Sequence, residues 1–183
     1  MIVANTTTYE AAALVCAGVA VYFDIRERRI PNRLTGLAAV AGLVLHGLSG
    51  QWSEFGSAVA AGCVMGCALL VFFLAGGMGA GDVKLAAALG CMMGMSGVKE
   101  MLVWTALSGA MLAIAMALLR GAARATLRNV WRIVAHHGEH GLAAHPELNL
   151  RNEATLRLPY AVPIAIGAAV AAIPSILRGV VAR

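Results

Sequence analysis

Nine acidic side chains occur in this chain of 183 residues, and only two of them are aspartates, Asp24 and Asp82. Both stand at the edge of an apolar run: Asp24 closes the first run and Asp82 opens the fourth. An ionisable group at membrane depth is costly to hold there, and its presence points to function. Two carboxylates brought together cannot both ionise cheaply, so the pair can hold one proton between them. The ionised member can then take a proton from water while the protonated member polarises a peptide carbonyl. That division of labour hydrolyses an amide with no metal and no covalent intermediate. The residue types alone leave a second reading open, in which the two aspartates mark helix ends at the membrane edge, Asp82 as a first-turn acid favoured by the helix dipole.

The elements that must position these groups are helices in a bilayer. Hydrophobic residues make up 60% of the chain and charged residues 13%, against about 25% charged in a soluble domain. Such a chain cannot cover a water-facing surface. The 21 glycines suit helices that approach closely in lipid. Apolar runs cover residues 9–25, 34–48, 55–74, 83–95, 101–119 and 158–177. A bilayer core needs roughly 20 helical residues, so the second and fourth runs are short. Ser96 and Gly97 are expected to break the fourth, and Asn32 to cap the second. The expected fold class is therefore all-α, a polytopic membrane protein with about six transmembrane helices in one domain over residues 1–183.

Orientation follows from the basic residues. With the N-terminus outside, eleven of the fourteen Lys and Arg fall on the inner side, leaving Lys99, Arg178 and Arg183 outside. The positive-inside rule then predicts an inner-membrane protein with both termini periplasmic and a cytoplasmic segment at about 120–157. Residues 1–10 carry no Lys or Arg, so the first run is expected to be a retained helix, not a signal peptide. The net charge of +5 would suggest nucleic acid in a soluble protein. Here membrane orientation accounts for it, and no nucleic-acid partner is expected; membrane lipids are.

Three motifs carry a family resemblance. Gly79-Ala80-Gly81-Asp82 matches the G-x-G-D motif of intramembrane aspartyl peptidases, and its extension Val83-Lys84-Leu85 resembles the form found in type IV prepilin peptidases. Asp24-Ile25-Arg26-Glu27-Arg28-Arg29-Ile30-Pro31-Asn32 resembles that family's first motif, an aspartate followed by a basic stretch and Ile-Pro-Asn. Leu158-Pro159-Tyr160-Ala161-Val162-Pro163-Ile164-Ala165 resembles the start of its last conserved helix. Order and spacing agree across nearly the whole chain. The resemblance implies a membrane-embedded aspartic endopeptidase without a cofactor. Its substrates would be prepilin and pseudopilin precursors, cut on the cytoplasmic side beside a short basic leader. It maps Asp24 and Asp82 onto the catalytic aspartates and Gly79 and Gly81 onto the motif glycines, where a missing side chain lets backbone and substrate approach Asp82. Longer members carry a cytoplasmic insert with paired C-x-x-C motifs and also methylate the new N-terminus. This chain lacks that insert, and its short form resembles the peptidases of the Flp (Tad) pilus class. The competing reading is a proton-coupled transporter or assembly factor that uses the same aspartates as a relay. Transporters place such groups near the midplane and often contain repeats; here both aspartates lie at one edge and no repeat is evident.

Other residues carry weaker signals. Lys84 suits either a substrate carbonyl or carboxylate, or simply a lysine at the cytoplasmic edge. Glu27 could meet a basic leader, although a salt bridge to Arg28 or Arg33 is the simpler reading. The glycine stretch 76–81 is no phosphate loop, because no G-K-[ST] follows it. Arg120, Arg124, Arg128 and Arg132 recur every fourth residue beside Leu127, Val130 and Val134, which predicts an amphipathic helix on the inner leaflet, with a plain solvated helix as the other reading. His136, His137, His140 and His145 with Glu139 form a histidine-rich tract whose spacing matches no catalytic metal signature, and no metal is expected. Cys16, Cys63, Cys67 and Cys91 lie in apolar runs with no C-x-x-C, and are expected to be small buried hydrophobes.

Overall fold

Helix α4 (Ala80–Met93) organises the molecule, because it packs against α1 (Thr6–Glu27), α2 (Asn32–Gly47), α3 (Trp52–Leu74), α5 (Met95–Leu119) and α7 (Ala161–Val181). The remaining helix, α6 (Ala123–His140), touches α5. This is a computed structural model, and it describes residues 6–141, 146, 148 and 158–181. Those residues contain helices and no strand. His145, Arg151, Arg157, Arg183 and the first five residues lie outside them.

At 14 residues, α4 is about 21 Å long, well short of a bilayer core of about 30 Å. Its neighbours explain how so short a helix sits there. Leu85, Ala86, Ala88, Leu89, Gly90, Met92 and Met93 are all buried, so little of α4 has to meet lipid. Glycines make this packing possible. A Cβ on Gly42 of α2 would lie 2.8 Å from the backbone of Cys91 and Met92, and one on Gly90 would lie 2.7 Å from the Ala61 carbonyl of α3. Helix backbones therefore touch at both crossings, the close approach that small residues permit in lipid.

By length and composition, three helices can cross a membrane: α1 from Thr8, α3 and α5; the stretch Ala161–Ser175 of α7 is apolar but shorter. Their outer faces carry large exposed apolar side chains, including Phe72, Met111 and Ile114. In water these would be an aggregation hazard; in hydrocarbon they are the solvated face. The chain is thus an all-helical membrane protein, as its composition predicts.

Several local expectations are corrected. The break after α4 is at Gly94, with φ +69, and α5 begins at Met95, so Ser96 and Gly97 are helical. A positive φ is accessible to glycine at little cost, and Ser57 accepts the Met95 N–H at 3.0 Å to start the new helix. Pro31, not Asn32, is the N-cap of α2, in extended conformation; the proline φ suits that role. The cysteines are free, but Cys63 and Cys67 are exposed on α3 and only Cys16 is fully buried. The 3.6-residue period turns positions 63 and 67 outward, toward lipid.

Candidate active site

Asp24 is held inward by the register of α1. Ala13, Cys16, Ala17 and Ala20 form the buried stripe of that helix, and Asp24 extends it by one more turn, 8% exposed. The intervals of three and four residues are those of one helical face. Asp82 heads the matching stripe of α4, followed by Leu85, Ala86 and Leu89, and is also 8% exposed. Each aspartate is therefore the polar end of an apolar face.

The segment after Asp24 carries the two stripes together. Arg28 takes a left-handed φ of 54 and ends α1, with its N–H donating to the Asp24 carbonyl at 3.0 Å. The chain then turns so that Ile30 covers Gly81, where an added Cβ would stand 3.3 Å from the Ile30 Cβ. Two residues on, the Asn32 Oδ1 accepts from Lys84 Nζ at 3.0 Å. An apolar contact and a polar one thus clamp the first motif to the first turn of α4. The two carboxylates come near enough for Asp82 to sense the charge on Asp24.

Backbone N–H groups hold each carboxylate. Gly79 donates to Asp82 Oδ2 at 3.2 Å, across the first turn of α4. Ala161, the first residue of α7, donates to Asp24 Oδ2 at 3.1 Å, across 137 positions of sequence. Both carboxylates therefore sit at helix N-termini, where unsatisfied N–H groups and the helix dipole favour negative charge. That offsets part of the penalty of low-dielectric surroundings. In each case this bond falls on Oδ2, and the same carboxylate has a second oxygen, Oδ1, that can take a further partner.

The third motif supplies more than a helix start. Tyr160 packs against the core and lies within electrostatic reach of Asp82, while its neighbour Ala161 holds Asp24. Sequence reasoning noted the motif but gave neither residue a place at the site. The signal that could have found them is a polar ring and a free helix N–H directly before an apolar run.

The other expected site residues lie at the rim. Lys84 is exposed, and its ammonium is engaged by Asn32 instead of by either carboxylate. Glu27 is exposed. Arg26 donates to the Tyr22 hydroxyl and covers that ring. Gly79 lies against the Asp82 carboxylate, and an added Cβ would crowd Oδ2 at 3.1 Å. Gly81 instead makes room for Ile30, a packing function not anticipated from its place in the motif.

A third buried acid is kept apart. Glu10, 6% exposed, accepts a hydrogen bond from the Ser175 hydroxyl. It lies fourteen residues before Asp24 on the same helix, about 21 Å along the axis. Beside it Tyr9 stacks on His46 with ring centroids 4.5 Å apart. In the histidine tract, His136 stacks on His140, and among the described residues no group of three or more His, Cys, Asp or Glu could hold a metal.

Compared with known proteins, residues 11–116 match the type IV leader peptidase family. That segment includes Asp24, Gly79, Gly81, Asp82 and Lys84, and stops before α6 and α7. No curated protein and no solved structure matches the chain.

Proposed function

The chain belongs to the type IV leader peptidase family, and on that premise we propose that it is an aspartic endopeptidase that removes the leader peptide from Flp-type prepilins on the cytoplasmic side of the bacterial inner membrane. Asp24 and Asp82 are the catalytic pair. The observation that carries this reading is the placement of two buried carboxylates, 58 residues apart in sequence, each with one oxygen accepting a backbone N–H at the start of a helix.

In this mechanism the pair shares one proton. The ionised carboxylate removes a proton from a water molecule as that water attacks the scissile carbonyl. The protonated carboxylate donates to the carbonyl oxygen, giving a neutral tetrahedral gem-diol. Collapse of that intermediate breaks the C–N bond: the carboxyl that received the water proton passes it to the leaving amine, while the other carboxylate takes a proton back from a gem-diol hydroxyl as the new C=O forms. A new carboxylic acid and a new amine result, and the pair again holds one proton. Gly79, with no side chain to crowd Asp82 Oδ2, lets the carboxylate fold back onto its N–H. Glu27, exposed at the rim, meets the basic leader, and Lys84 lies where it can hold a substrate carbonyl once released from Asn32. The single domain has six passes, both termini are periplasmic, and residues 120–157 are cytoplasmic.

The position of the pair argues against a proton-relay transporter. Both aspartates lie at helix ends, whereas coupling groups in transporters sit near the midplane. The deciding experiment is co-expression with a Flp-type prepilin, read as a loss of the leader mass. No cleavage by an inserted, abundant protein would remove the peptidase reading.

A further inference from the structure

Helix α6 differs in kind from the other helices. None of its residues is buried, and among the described elements it packs only against α5. Yet it carries four large apolar side chains in the open: Leu127 and Trp131 are 72% and 74% exposed, and Val130 and Val134 are exposed too. At 100° per residue these four fall within an arc of about 100°. Arg124, Arg128 and Arg132 run along one flank of that arc, and Glu139 is the only acid in the helix.

The way α6 is attached decides which surface it meets. Helix α5 is apolar and exposed to its end at Leu118 and Leu119. It closes in a two-bond turn, with the Ala122 N–H on the Ala117 carbonyl at 2.9 Å and the Gly121 N–H on the Leu118 carbonyl at 3.0 Å. Gly121 has the left-handed φ, +61, that this cap requires. Only Arg120, Gly121 and Ala122 separate the two helices, a reach of roughly 10 Å. The start of α6 is therefore held at the level where α5 leaves hydrocarbon.

We propose that α6 lies along the bilayer surface at the α5 end, its Leu127–Val134 face set into the headgroup boundary and its arginine flank on anionic phospholipid headgroups. A solvated helix would leave Leu127 and Trp131 in water beside hydrocarbon that can take them. The cationic flank selects the lipid: each arginine near an anionic surface is worth about fivefold in occupancy, so three shift the docked population roughly hundredfold between anionic and neutral membranes. Docking of this helix does not depend on the peptidase reading.

The test uses the full chain with Trp52→Phe and Trp104→Phe, so that Trp131 is the only tryptophan. It is reconstituted in phosphatidylcholine vesicles with or without phosphatidylglycerol, each containing chain-brominated lipid. Trp131 emission should be blue-shifted and quenched by the brominated chains when phosphatidylglycerol is present, and much less so without it. Arg124→Gln, Arg128→Gln and Arg132→Gln together should abolish the difference. Quenching by aqueous iodide in both membranes would overturn the proposal in favour of a solvated helix. Protection from both bromine and iodide would overturn it in favour of a protein cover, either a second copy or another part of this chain. Equal bromine quenching with and without phosphatidylglycerol would overturn the selection by arginine, and this comparison needs no altered arginine.

Discussion

Replacing Asp24 by asparagine should separate folding from chemistry more cleanly than any other single change. Asn is nearly isosteric with Asp, and its amide oxygen can still accept the Ala161 N–H that Asp24 Oδ2 now takes at 3.1 Å. Swapping a charged acceptor for a neutral one weakens that bond by about 1 kcal/mol. Relief of the buried charge offsets part of this loss. The α1–α7 packing should therefore survive, and the protein should accumulate in the membrane at close to normal levels. The amide nitrogen then occupies the position of Oδ1. It can neither take a proton from water nor return one to the leaving amine. General acid–base catalysis contributes roughly 10²–10⁴-fold, and both roles run through one coupled pair, so cleavage should fall by at least that factor. Asp82→Asn should do the same, since its amide oxygen can keep the Gly79 N–H. The double variant should be little worse than either single one, because groups that act as a unit are non-additive. The assay is time-resolved cleavage of a purified prepilin in proteoliposomes, with enzyme matched by quantitative blot. Wild-type cleavage by either variant, or a double variant whose loss is the product of the single losses, would refute the shared-proton mechanism.

Other expectations follow from the packing and the topology. Gly90→Val should lower thermal stability or membrane accumulation by the equivalent of about 1–3 kcal/mol, because its Cβ would stand 2.7 Å from the Ala61 carbonyl; unchanged melting by scanning fluorimetry in detergent would contradict the backbone contact at that crossing. Gly81→Leu should cut cleavage more than accumulation by pushing Ile30 and its loop off α4, and a kcat equal to wild type would show that the clamp does not set the distance between the aspartates. Reporter fusions at Gln51 and at the C-terminus should both read periplasmic and one at His140 cytoplasmic; a cytoplasmic C-terminus would overturn six passes. Mature pilin made with this protein as the only processing enzyme should carry an unmodified N-terminus, and a mass gain of one methyl group on intact-mass analysis would contradict the role assigned to the missing cysteine-bearing insert.

What was legible in the sequence was mostly local or periodic. Composition alone required lipid around the chain, since 13% charged residues cannot clothe a protein in water. Helical spacing puts Asp24 on one face with Ala13, Ala17 and Ala20, and Asp82 with Leu85 and Leu89, but that these faces turn inward was decided by the packing. The amphipathic character of α6 was legible from the same spacing. Break positions were less so. Gly94, Ser96 and Gly97 are all capable of ending a helix, and the choice fell to Gly94 because Ser57, on another helix, accepts the next N–H. Likewise the outward turn of Cys63 and Cys67 depended on which face of α3 met α4, and an apolar run gives no sign of its inner side when both lipid and protein are apolar.

The sequence by itself determined that two aspartates would stand at helix ends, and motif order tied them to a peptidase family. Tertiary structure alone decided which segments hold them. Ile30 fills the space over Gly81, Lys84 reaches Asn32, and Ala161 approaches Asp24 across 137 residues. No local pattern encodes such contacts, because each requires two segments whose separation along the chain says nothing about their distance. They form when the small residues of α2, α3 and α4 let three backbones touch, and that close packing sets the distance at which one carboxylate feels the charge of the other.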